Sequence, residues 1–168
     1  MKKSRWIFGS VIDKDLYLNT RTVGQAFEIH LEECDLTVGK TVNVTFTGTE
    51  NGTLPGLLAI QGGSQATGIA IGFETPSAKP LQLNQAGSKL LLQEGHNIIA
   101  LKAYVQGEPD ALRERRIERG AFSAAARSAL SMSRHGMTTI ERFKYVGPEW
   151  QRPRVSPGRL LWANGLSG

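Results

Sequence analysis

The chain has 168 residues, 40% of them hydrophobic and 21% charged, which suits one domain with a real core and excludes a wholly disordered chain. Its net charge is +5, but residues 1–132 carry 14 basic against 13 acidic side chains; the excess lies in Arg134, Arg142, Lys144, Arg152, Arg154 and Arg159, opposed only by Glu141 and Glu149. A nucleic-acid footprint needs a basic face on the folded body, which a basic tail does not supply, and a single cysteine, Cys34, excludes an intramolecular disulfide and a cysteine metal cluster.

The opening Met1-Lys2-Lys3-Ser4-Arg5-Trp6-Ile7-Phe8 is basic and then apolar, like the start of a signal peptide. Gly9-Ser10 breaks the apolar part, and Asp13-Lys14-Asp15 follows without a small-residue cleavage site, so the segment reads as unable to direct export. No apolar run approaches the length that spans a bilayer.

Strict apolar–polar alternation then marks strands with one face buried. It runs through Phe27-Glu28-Ile29-His30-Leu31-Glu32 and through Thr41-Val42-Asn43-Val44-Thr45-Phe46-Thr47. It returns in Gly68 to Glu74, where Ile69, Ile71 and Phe73 share a face, and in Ile99 to Val105, where the odd positions do. Between these lie turn signals at Gly48 to Gly56, Gly62-Gly63-Ser64, Pro76 to Pro80, Glu94 to Asn97 and Gly107 to Asp110. Asp110 to Arg119 is charged and reads as a helical turn or a mobile loop. A last alternating stretch sets Phe122, Ala124, Ala126, Leu130 and Met132 on one face, interrupted by Ser128. Many short strands separated by turns predict a sandwich or barrel. After Ser133 the periodicity ends, which predicts a β domain over 1–133 and an irregular, poorly ordered basic tail over 134–168.

The chemistry-bearing residues form no catalytic set. Val38-Gly39-Lys40-Thr41 ends like a phosphate-binding loop, but Cys34 stands where that loop needs glycine, and a strand follows instead of a helix. Gly62-Gly63-Ser64-Gln65-Ala66-Thr67-Gly68 also precedes a strand and reads as a flexible loop. His30, between Glu28 and Glu32, sits on a solvated strand face, and no histidine pair has metal-ligand spacing. Asn43-Val44-Thr45 and Asn51-Gly52-Thr53 spell glycosylation triplets of a kind frequent in such strands, and Arg113, Arg115, Arg116 and Arg119 are offset by Glu108, Asp110, Glu114 and Glu118.

Three segments together resemble the pilin subunits of chaperone–usher fimbriae. Phe27 to Cys34 looks like the family's second strand ending in its cysteine, and Val42 to Gly48 like the strand after it. Asn97 to Gly107, followed by Gly120-Ala121-Phe122-Ser123-Ala124, resembles the penultimate strand and the Gly-x-Phe-x-Ala opening of the last. Gly68 to Ile71 and Pro80 to Leu83 also fit, so the likeness spans roughly residues 9–132.

The resemblance implies an all-β, incomplete immunoglobulin-like β-sandwich (pilin fold) that lacks its last strand. Phe122, Ala124, Ala126, Leu130 and Met132 would line one wall of the open groove, which a periplasmic chaperone and then a neighbouring subunit fill by donor-strand complementation. The implied role is a structural subunit of a surface fimbria in cell adhesion, reached through the periplasm. Its partners would be other subunits, the chaperone and an outer-membrane usher, with no nucleic acid, no cofactor and no enzymatic activity.

Three departures qualify this. Trp6 to Val11 looks like the segment after the family's first cysteine, which implies a truncated N-terminus lacking signal, donor extension and the partner of Cys34. Ser128 stands where an aromatic is usual, and Met132 where a tyrosine ends the strand. The chain also continues past Met132, and the loss of pattern from Arg127 suggests a changed reading frame. The alternative reading is a self-contained β-sandwich binding module of carbohydrate-binding type. Trp6, Trp150 and Trp162, all near the ends, speak against it. A β-sandwich hydrolase lacks a catalytic set.

Overall fold

A computed structural model describes residues 3–6, 10–34, 40–87, 89–134, 137–139, 144–146 and 159–167, with side chains for 11–31, 40–87, 89–128 and 130. In chain order the elements are β1 (Lys3–Trp6), β2 (Ser10–Ile12), α1 (Asp13–Asn19), β3 (Gln25–Cys34), β4 (Thr41–Thr47), β5 (Leu58–Ala59), β6 (Ile69–Glu74) and β7 (Pro80–Leu81). They continue with β8 (Leu90–Leu91), β9 (Gly95–Gly107), α2 (Pro109–Arg113), β10 (Gly120–Arg134), β11 (Met137–Thr139), β12 (Lys144–Val146) and β13 (Arg159–Ser167). One sheet runs β1-β13-β10-β4-β8, with β2 also on β13 and β11 also on β10; the other runs β12-β3-β9-β6-β5, with β7 on β6.

The expected alternation builds the core. Val42, Val44 and Phe46 of β4 are buried while the threonines and Asn43 between them are not. Phe27, Ile29 and Leu31 of β3 and Ile99, Leu101, Ala103 and Val105 of β9 do the same from the other sheet. Three phenylalanines join the layers: Phe46 stacks on Phe73 with centroids 4.3 Å apart, and Phe27 meets both edge-on at 6.2 and 6.3 Å. Such offset and edge-on pairs stabilise by about 0.5–1.5 kcal/mol beyond the area they bury.

Strand β6 departs from simple alternation because both of its faces are covered. Its core face carries Ile69, Ile71 and Phe73; on the other, Glu74 is 2% exposed. Arg21 grips both oxygens of Glu74 at 2.9 and 3.0 Å and lies 3.6 Å over the ring of Tyr104. Tyr104 is in register with Gly72, where any Cβ would meet the tyrosine ring at 2.1 Å. The absent side chain of Gly72 therefore makes room for the ring.

The charged segment after β9 opens with the short helix α2, with Pro109 at its start and Asp110 in its first turn, and continues to Arg119 as turn and irregular chain. The ion pairs of Arg113 with Asp110 and Arg116 with Glu114 are exposed and internal to the segment, as the charge balance predicts, whereas Arg119 reaches Asp13 of α1. The expected turn at Glu94 to Asn97 is shorter than predicted: Gly95 already belongs to β9 and faces Cys34 across a register irregularity in β3. The stretch after Ser133, expected to be irregular, contains three strands: β11 folds back on β10, β12 adds to β3 in the second sheet, and β13 returns to the first.

Candidate strand-complementation seam

The candidate seam is the line along β10. Phe122, Ala124, Ala126, Ser128 and Leu130 are each 2% exposed or less, so the even positions of β10 face the core as the alternation predicts. Met132 stands in register with Val42 on one side and Thr139 on the other; its side chain lies outside the described residues. Cys34 closes β3 opposite Gly95, and its side chain is likewise outside them.

Along one edge, β10 changes partner. Residues Arg127 to Ser133 pair with β4. Ahead of them, the loop read as flexible is instead clamped to the strand. Gln61 donates its N–H to the Ser123 carbonyl at 2.7 Å, and Gln65 donates to the Ala121 carbonyl at 2.7 Å. The Ser123 N–H reaches Ser64 Oγ at 3.1 Å, and Ser123 Oγ reaches Gln61 Oε1 at 2.8 Å. Gly120 permits this approach: its φ is +146°, and a Cβ there would lie 2.6 Å from Gln65 Cβ. A cavity of about 510 Å³, lined by Thr47, Gly48, Ala59, Gln61, Ala126 and Arg127 among others, marks the changeover.

Along the other edge, Gly120 to Arg127 pair antiparallel with β13, from Leu166 to Arg159. The far side of β13 pairs parallel with both N-terminal strands, Arg159–Trp162 against β1 and Gly165–Ser167 against β2. The opposite rim is anchored by Val11 of β2, which is buried in the core, and by Arg119, whose Nε donates to Asp13 Oδ2 at 2.8 Å. Residues up to Arg134 alone would leave β10 and β1–β2 unjoined; the tail supplies the strand between them. Strand β13 thus lies between β10 and the N-terminal strands in the first sheet.

A family model described as fimbrial protein matches residues 8–132, ending at the third-last residue of β10. The chain belongs to the fimbrial protein family. Among relatives of this fimbrial protein is Fimbria A protein of Serratia marcescens, 32% identical over 100 residues, covering 60% of this chain and 56% of the relative. The chain spans a little over half the length of the first curated relatives it matches. The P pilus rod subunit PapA superposes with a TM-score of 0.60 at 24% identity over 71% of this chain and 85% of that one. The CupB6 tip adhesin of Pseudomonas aeruginosa superposes at 0.70 and 14% identity over 99% of this chain and 42% of that one. These likenesses establish the immunoglobulin-like pilin fold, and the second extends through the tail. Strands β11, β12 and β13 lie beyond the family match.

Other residues singled out in the sequence do not converge here. His30 Nε2 pairs with Glu28 Oε2 at 2.9 Å, and its ring lies 5.4 Å from that of His96, on the second sheet. Among the described residues no three histidine, cysteine or carboxylate side chains are grouped to hold a metal. Sequence reasoning missed β13, although its signal was present: Pro157-Gly158 is a turn pair, and Leu160-Leu161-Trp162-Ala163 after it is a short apolar run.

Proposed function

We propose that this chain is a structural subunit of a bacterial fimbria, acting in cell adhesion, with the edge of β10 as its strand-complementation seam. The observation that carries this is the family match ending within β10, at the strand whose buried face holds Phe122, Ala124, Ala126 and Leu130. An uncovered seam would expose that apolar stripe together with unpaired backbone groups, and one added strand repairs both. Other subunits, a periplasmic chaperone and an outer-membrane usher are the partners, and the fimbrium on the cell surface is the destination. The role is mechanical; no cofactor enters it. Met132 extends the same wall, and Cys34 holds the family's disulfide position.

Immunogold electron microscopy of intact bacteria carrying the chain tests this. Label along surface fibres is expected, and label confined to the cell interior contradicts it. The alternative, a self-contained β-sandwich binding module, gains support from the closure by β13. Against it, Phe27, Phe46, Phe73, Phe122 and Tyr104 are all buried, leaving none of them to form a binding platform.

A further inference from the structure

We infer that residues 159–167 are the resident occupant of the seam: the chain carries its own complementing strand, and the subunit stays closed to an incoming strand until β13 leaves. Three observations carry this. The strand joins both rims at once, antiparallel to β10 over Gly120 to Arg127 and parallel to β1 and β2. Each N-terminal strand has β13 as its partner in the sheet, so losing β13 undoes both pairings together.

The register is also matched in residue size. It sets Leu160 against Ala126, Trp162 against Ala124 and Leu166 against Gly120, and it sets the small polar Asn164 against the one large residue, Phe122. Alternating large with small across facing positions is what specifies a packed pair of strands. A slide by two residues keeps each residue type on its face but sets either Trp162 or Leu166 against Phe122. Finally, β13 lies outside the matched family region while the seam lies inside it, so the occupant is an addition to the shared fold.

Occupancy of the seam stands on the geometry alone; its consequence, that β13 competes with a partner's strand, rests on the proposed fimbrial role. The test uses the full chain with Cys34→Ser. Ala125→Cys and Leu161→Cys are placed at positions in register, and a control pairs Ala125→Cys with Ala163→Cys. Mild oxidation is expected to cross-link most of the first variant within single chains and little of the control. Cross-links between chains, or equal yields in the two variants, overturn the inference.

In a second arm, Leu161→Pro with Ala163→Pro removes ladder donors from β13 in the full chain. A labelled peptide Arg-Leu-Leu-Trp-Ala-Asn-Gly-Leu-Ser is expected to bind this variant at least tenfold more tightly than the parent. Equal binding to both overturns self-closure. Cross-linking within the chain without peptide binding to the proline variant leaves self-closure standing and removes the strand-accepting role.

Discussion

Ala124 of β10 stands in register with Trp162 of β13, which pairs one of the smallest residues of the strand with one of the largest of the tail along the backbone ladder. The sheet position beside Gly120 to Arg127 is filled here by the tail of the same chain.

Ala124 is fully buried, whereas Ala125 beside it is only half-buried. Ala124→Phe is expected to destabilise by about 1–3 kcal/mol through overpacking, and Ala125→Phe by clearly less. Urea denaturation of both variants measures the difference.

Ser128 is 1% exposed, and its hydroxyl oxygen has no hydrogen-bond partner among the described residues. A buried unsatisfied hydroxyl is a net cost, so Ser128→Ala is expected to raise stability by about 1 kcal/mol. A higher Tm in calorimetry is the expected result.

Arg21 satisfies the buried carboxylate of Glu74 with a two-pronged hydrogen bond. Removing it strands a charge in the sheet, and Arg21→Ala is expected to cost about 3 kcal/mol. Arg21 is one-third exposed, so water offsets part of the loss, and Arg21→Lys is expected to fall between the two. Denaturant midpoints rank the three proteins.

Burial pushes the Tyr104 hydroxyl above its ordinary pKa of 10.0; the Arg21 charge pulls the other way, and Glu74 adds to the rise. The folded state thus keeps the phenolic proton to higher pH than the unfolded chain does. Above pH 10 unfolding releases that proton, and stability falls as pH rises from there toward the folded pKa. The urea midpoint is expected to drop between pH 9.5 and 11, as set by that ordinary value, and to drop less in Tyr104→Phe.

Much of this molecule is legible in its sequence, for a physical reason. Period-two alternation in β3, β4, β9 and β10 reports one buried face per strand, and those faces are the core. The even positions Phe122 to Leu130 are legible as a buried face on the same ground. The clamp by Gln61 to Ala66 was not, because glycine and serine mark a loop without saying where its backbone donors go. The Arg21–Glu74–Tyr104 cluster joins positions far apart in the chain, which no local pattern records. Strand β13 was missed because Arg159 to Ser167 mixes Asn164 and Gly165 into an apolar run, so its pairing appears only once β10 offers a register.

Native-state hydrogen exchange on the full chain tests the occupied seam most directly. Amides of Phe122, Ala124 and Ala126, on the edge of β10 away from the Gln61–Ala66 clamp, and of β2 are expected to be protected to a degree approaching β9, and to lose that protection together in Leu161→Pro/Ala163→Pro. Free exchange of Phe122, Ala124 and Ala126 in the unaltered chain, with β3 and β9 still protected, would contradict the account.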